Sequence, residues 1–162
     1  MVRINLINPK NLADQHLIAE YNEILMLLGY VKKYPIIREI PSKYTLGKGH
    51  ILFFKNKLKY LKNRHESIKR EMNKRGFNTN KTIKINEFDK KLINDWKPNI
   101  EDIKIIKKRL INRLSLKPKF YRYYKIKRTK KFLIDLIKKI IRQMPYLKIF
   151  ISSTTAAIAT KA

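Results

Sequence analysis

The sequence predicts an all-α fold: a single compact domain of three main helices with long irregular connections, followed by a basic helical tail. Apolar residues recur at helical spacing in three separate stretches, near residues 12–28, 50–75 and 100–116. Between these stretches lie segments punctuated by Pro and Gly or dominated by polar residues, which break helices and mark loops. A length of 162 residues suffices for one domain with a real but modest core.

In chain order, residues 2 to 7 form a short segment in which Ile4 and Leu6 can anchor against a core while Arg3 stays outside, fixing the chain start. Asn8-Pro9 reads as a helix start, with Asn8 as cap and Pro9 at the first helical position, although Asp14 offers a later cap. That first helix is expected to reach Leu28 and stop at Gly29. At about 100° per residue it places His16, Glu20 and Glu23 on one face, with Leu17, Ile18, Tyr21, Leu25 and Leu28 supplying apolar surface elsewhere. Periodicity alone reads Glu20 and Glu23 as solvated helix carboxylates. The plain reading of His16 is a hydrogen-bonded helix histidine.

Residues 30 to 49 carry Pro35, Pro41, Gly47 and Gly49, and read as irregular chain. Within it Gly47-Lys48-Gly49-His50 resembles a phosphate-facing turn, because glycines let amides approach an anion. From His50 to Arg75 the apolar positions Ile51, Phe54, Leu58, Leu61, Ile68 and Met72 make a second helical stripe, with Gly76 as its cap. Phe53, Phe54 and Tyr60 read as core and His65 as a surface residue. Residues 78 to 99 are polar, and Trp96 is expected to pack this irregular connection. A third helix over 100–116 has Ile103, Ile106, Leu110 and Leu114 as its buried stripe and Lys107, Lys108, Arg109 and Arg113 on the other side. Further on, Tyr121, Tyr123 and Tyr124 interleave with Arg122 and Lys125, a mixture suited to gripping phosphates and stacking on bases. Phe132, Leu133, Leu136, Ile137, Ile140 and Ile141 then predict an amphipathic basic helix ending near Pro145, with residues 152–162 disordered.

Charge narrows the partners. Lys plus Arg is 39 against 12 for Asp plus Glu, a formal charge of +27 that repels a compact state unless polyanions are present. Nucleic acid is the natural partner, although a membrane surface or an RNA scaffold satisfies the same charge. There is no Cys, which removes disulfides, thiolate chemistry and thiolate-held zinc. The three His are far apart in sequence and Glu20 with Glu23 is the one close carboxylate pair, so no metal or other cofactor is expected. No run of 18 apolar residues occurs and the start lacks the apolar core of a signal peptide, so an intracellular soluble protein is expected, with no membrane partner.

Several strings together resemble one family. Arg3-Ile4-Asn5-Leu6, Leu12-Ala13-Asp14-Gln15-His16-Leu17, Ala19-Glu20-Tyr21 and Glu23 are similar to the opening of the pyrimidine dimer DNA glycosylases of the phage and chlorovirus type, also called dimer-specific endonuclease V. The likeness continues through Leu46-Gly47-Lys48-Gly49-His50, Phe53-Phe54, Lys57-Leu58, Arg75-Gly76-Phe77-Asn78 and Pro118-Lys119-Phe120-Tyr121-Arg122-Tyr123-Tyr124. It implies a glycosylase domain over residues 1–125 and an extension over 126–162. It also implies a bifunctional enzyme that cleaves the N-glycosidic bond at cyclobutane pyrimidine dimers and then nicks the backbone by β-elimination. The partner becomes double-stranded DNA carrying UV-induced dimers or abasic sites, bound by a monomer. A non-catalytic basic protein that packages nucleic acid explains the charge and tail equally well, but not the match around Gln15, His16 and Glu23.

The resemblance further implies a nucleophile. A lyase needs an amine to attack the sugar C1′ and form an imine. An α-amino group, with a pKa of about 7.7 to 8.0 against about 10.4 for Lys, holds a far larger neutral fraction. In this sequence that amine belongs to Val2 once Met1 is removed; Val replaces the Thr usual in the family, but the reacting atom is main-chain nitrogen. Glu23 matches the catalytic carboxylate. Arg3, Lys33, His50, Arg109 and Arg113 match positions that hold the bent DNA backbone, and Gln15 and His16 match positions near the DNA. Asn22 and Met26 stand where arginines occur in the family, and Phe120 where a Trp occurs.

Overall fold

The computed structural model describes residues 4–47 and 49–139. Val2 and Arg3 lie outside them, as do Ile140, Ile141, Pro145 and the expected disordered end at 152–162. A 3₁₀ turn, Pro9–Asn11, precedes α1 (Asp14–Lys33); α2 (Gly49–Phe54) and α3 (Leu58–Lys74) follow, then a second 3₁₀ turn, Lys90–Leu92, and α4 (Ile100–Leu116). A two-stranded antiparallel hairpin, β1 (Arg122–Tyr123) and β2 (Ile126–Lys127), leads into α5 (Lys130–Lys138). The protein is mostly helical, as the periodicity predicts. Among the described residues no helix is long and apolar enough to cross a membrane.

Asn8 caps only the 3₁₀ turn, its side chain accepting from the Lys10 amide. Helix α1 starts later, at Asp14, and runs through Gly29 to Lys33 instead of stopping at Gly29. A glycine inside a helix costs about 1 kcal/mol. Burying Val31 two residues farther on offsets this, since a fully buried aliphatic side chain contributes about 1.5–3 kcal/mol. The helix ends at Tyr34, whose position before Pro35 disfavours helical backbone.

The second predicted stripe is split. Lys57 pairs in an isolated bridge with Ile93 of the long connection, so the chain breaks between α2 and α3. The break turns both Phe53 and Phe54 inward, where with Tyr44 and Tyr60 they surround Trp96 at ring separations of 5.0 to 6.2 Å. The core reading of these rings holds. Helix α3 ends as expected at Gly76, whose φ of +70° closes a cap in which the Phe77 amide donates to Met72 O and the Gly76 amide to Asn73 O. His65 is a correction: it is fully buried, stacked on Tyr21 at 4.6 Å. Its ring supplies flat apolar area between α1 and α3.

Helix α4 has the predicted bounds because Asn99 and Asp102 form a reciprocal capping box, each side chain accepting from the other's backbone amide. Ile106, Leu110 and Leu114 of α4 pack against α5, which buries Leu133, Leu136 and Ile137. The start of the expected extension is therefore core, and a boundary at 125 cuts the hairpin between its two strands. Of the apolar stripe that suggested an amphipathic helix, Leu133, Leu136 and Ile137 are buried in the core, Phe132 is exposed, and Ile140 and Ile141 lie outside the described residues.

Candidate active site

The α1 face carrying His16, Glu20 and Glu23 is turned into the protein, and all three side chains are buried. Glu20 is not a solvated carboxylate. It receives two bonds from the Arg64 guanidinium, Nε to Oε1 at 2.7 Å and Nη2 to Oε2 at 3.0 Å, and one from Asn5 Nδ2 at 3.1 Å. Burial pushes the Glu20 carboxyl up, and the charge-assisted fork from Arg64 opposes that shift. Arg64 Nη1 also donates to Ile7 O at 2.7 Å, so the pair locks the 4–7 segment onto α1 and α3. At the other end of that segment, the Ile4 amide donates to His50 Nε2 at 3.2 Å and Tyr44 Oη donates to Ile4 O at 3.1 Å. The chain start is thereby fixed, as Ile4 and Leu6 predict.

Beside this segment a pocket of about 250 Å3 opens between α1, α4 and the start of the hairpin. Asn5, His16 and Ala19 form its floor, and the small Ala19 leaves the space open. Arg109 and Arg113 of α4 form one wall, and Phe120 and Tyr121 the other. Among the described residues neither ring nitrogen of His16 has a hydrogen-bond partner, although the side chain is buried, and its ring lies 4.6 Å from that of Tyr121. Burial lowers the His16 pKa to about 3, with the charges of Arg109 and Arg113 adding to the effect. At neutral pH the site is thus an uncharged imidazole in a positive field, which suits an incoming anion.

Gln15 sets the hairpin wall. Its Nε2 donates to Phe120 O at 3.0 Å and its Oε1 accepts from the Arg122 amide at 2.9 Å, gripping the chain on both sides of Tyr121. One residue earlier, Asp14 holds the hairpin turn, accepting from the amides of Tyr124 at 3.2 Å and Lys125 at 2.7 Å. Both turn residues have positive φ, 53° and 63°, a conformation that costs non-glycine residues about 1–2 kcal/mol each. The two bonds to a buried carboxylate offset that strain. Asp14 is in turn bound by Arg75 Nη1 at 2.9 Å, and the same guanidinium donates to Glu71 and to the carbonyls of Leu12, Pro9 and Lys10. The rings of Tyr123 and Tyr124 lie over it, with centroids at 4.6 and 4.8 Å.

Of the sequence-predicted site residues, His16, Gln15, Arg109, Arg113 and Tyr121 meet at this pocket, and Glu23 lies two helical turns beyond His16 on the same face. Val2 and Arg3 lie outside the described residues. Lys33 is exposed at the end of α1, about 25 Å along the helix from His16, and apart from the pocket. Two expectations are corrected. His50 is fully buried and binds backbone, Ile4 N–H through Nε2 and Thr45 O through Nδ1, so it does not face a phosphate. The glycine before it serves packing, since a Cβ on Gly49 would lie 2.9 Å from the Thr45 side chain and 3.2 Å from that of Pro41. Tyr123 and Tyr124 lie over Arg75 and donate to Lys10 O and Glu71 Oε1, while the ring of Tyr124 stays exposed. Tyr121 is buried and lines the pocket, its ring 4.6 Å from that of His16.

Sequence reasoning missed Asn5, Arg64 and Arg75. The signal for the two arginines was present: Arg64, Ile68, Glu71, Met72 and Arg75 share one stripe of α3, so charges fall where apolar residues belong. Asn5 sits between two apolar neighbours in an extended segment and gave no sign that it, too, would be buried. Asn22 and Met26 are exposed, so the pocket's positive charge comes from α4. Among the described residues no three His, Cys, Asp or Glu side chains gather to hold a metal ion. Residues 1–85, just over half of the 162-residue chain, match the sequence model of a family described as pyrimidine dimer DNA glycosylase. That match covers the chain start, α1, α2 and α3, while Arg109, Arg113 and the hairpin lie beyond it.

Proposed function

The chain belongs to the pyrimidine dimer DNA glycosylase family, and from that premise we propose that its chemistry runs through the amine of Val2 and the carboxylate of Glu23. The activity is that of a bifunctional repair enzyme acting on damaged DNA, a dimer-specific glycosylase and AP lyase. In the proposed mechanism the neutral Val2 amine attacks C1′ of the damaged nucleotide, and the N-glycosidic bond breaks with its electron pair leaving on the base. Loss of the ammonium proton and opening of the sugar ring, in which the C1′–O4′ bond breaks and O4′ takes a proton, give the protonated imine, whose electron demand acidifies C2′. Glu23 stabilises the positive charge that develops on the sugar and then takes the C2′ proton, and elimination expels the 3′ phosphate.

The observation that carries the reading is the pocket beside the chain start. A neutral His16 with nitrogens unpartnered among the described residues, set against Arg109 and Arg113, is suited to the phosphodiester next to the lesion. Holding the bent backbone there offsets the few kilocalories needed to unstack the damaged step. We propose that Gln15 and Tyr121 shape this pocket, that Arg3 and Lys33 extend the phosphate contacts, and that the protein acts as a monomer. Borohydride reduction on duplex DNA carrying a single dimer tests it: a covalent product mapping to Val2 is expected, and one mapping to an internal lysine overturns the assignment.

A further inference from the structure

We propose that His50, assisted by Tyr44, is a positioning residue that aims the chain's terminal amine at the damaged sugar. The inference rests on the Val2 reading above and adds to it the device that holds Val2 in place. Ile4 is tied at both of its backbone polar groups, its N–H to His50 Nε2 at 3.2 Å and its carbonyl to Tyr44 Oη at 3.1 Å. Its side chain is fully buried. The Val2 nitrogen lies two residues before the Ile4 nitrogen, within about 7 Å of it even along extended chain. Whatever fixes Ile4 therefore sets where the amine can reach.

The imidazole is itself held in the form that the task needs. Nε2 can accept from Ile4 only when the proton sits on Nδ1, and Nδ1 faces Thr45 O at 2.9 Å, which accepts that proton and selects the tautomer. The ring is wedged edge-on between Tyr44 at 5.6 Å and Phe54 at 5.1 Å. Gly49 lets α2 begin hard against Pro41 and Thr45, which brings His50 into line with the chain start. Asn5 and Ile7 are held separately, by Glu20 and Arg64, so the anchors at Ile4 are the last ones before the amine among the described residues. A misplacement of about 1 Å at a reacting atom costs on the order of 100-fold in rate.

Single-turnover borohydride trapping of the full chain on a saturating dimer duplex tests this, alongside Kd for the same duplex and the melting midpoint. The variants are His50→Phe, His50→Gln and Tyr44→Phe. Loss of the acceptor in His50→Phe is expected to slow trapping about 10- to 100-fold with Kd within about twofold of wild type. His50→Gln, whose amide oxygen can accept the Ile4 N–H, should recover much of that rate. Tyr44→Phe keeps the ring and the fold and should slow trapping several-fold, which preserves the test if His50→Phe fails to fold. Weaker binding with a flatter salt dependence and an unchanged trapping rate would assign His50 to a phosphate and overturn the proposal. Wild-type cross-linking at an internal lysine removes the Val2 reading and this proposal with it, whereas Val2 cross-links formed at the wild-type rate in all three folded variants remove this proposal alone.

Discussion

Acid should destabilise this protein through His16, by an amount that the pocket fixes. The imidazole titrates near 6.5 in the unfolded chain and about 3 in the folded one, because of burial first and the fields of Arg109 and Arg113 next. The folded state therefore refuses a proton that the unfolded state accepts, and stability present above pH 6.5 is lost as pH falls toward 3. At 1.36 kcal/mol per pH unit below 6.5, His16 alone removes about 2 kcal/mol between pH 7 and pH 5. For a chain of this size that corresponds to a melting shift of about 4–8 °C. His65, also held below its ordinary value by burial, adds its own share, so the measurement must be a difference. Urea unfolding of wild type and His16→Phe at pH 7, 6 and 5 supplies it: the stability gap should move by about 2 kcal/mol in favour of the variant as pH falls. A gap constant to within about 0.5 kcal/mol across that range would show that His16 is not held neutral by the pocket.

Arg75→Met should cost about 3–5 kcal/mol in denaturant unfolding, because it leaves the buried Asp14 and Glu71 carboxylates without their counter-charge; Arg75→Lys, lacking the planar fork, should recover less than half of that. A chain ending at Lys125 should unfold and lose cleavage: the burial of Leu133, Leu136 and Ile137, about 1.5–3 kcal/mol each, is comparable to the whole stability of a small domain. A truncated chain that melts and cleaves like wild type would refute the docking of α5. Glu23→Gln should abolish both cleavage steps while Kd for a dimer duplex stays near wild type. Glu20→Gln should instead lower the melting midpoint, since it strands the Arg64 charge in the core, and equal kinetic losses from the two changes would mean that the carboxylate roles are misassigned.

Much of the fold was legible because it is written in neighbours. Helical periodicity located α1, α3 and α4 from residues three and four apart, and the bounds of α4 agree with the structure because its cap, Asn99 with Asp102, is local too. The excess of Lys and Arg pointed to nucleic acid without reference to any contact. The run from Arg3 to Glu23 carried the family likeness, and with it the chemistry. Where local rules failed, tertiary packing had won: burial of Val31 in the core drew α1 past Gly29, and pairing with Ile93 split α2 from α3.

The site itself was decided by tertiary structure. Gln15 grips Phe120 across 105 residues, Arg64 reaches Glu20 across 44, and Arg75 reaches Asp14 across 61. In sequence each of these groups reads as an ordinary surface charge or amide. A buried charge tells its story only through its partner, because removal from water is tolerable only when an opposite charge or a full set of hydrogen bonds replaces the water. The same rule laid Tyr123 and Tyr124 over Arg75 and turned His50 from a phosphate contact into the anchor of the chain start. Periodicity specifies which face of a helix is apolar, but long-range pairing of polar groups alone determines which charges that face encloses.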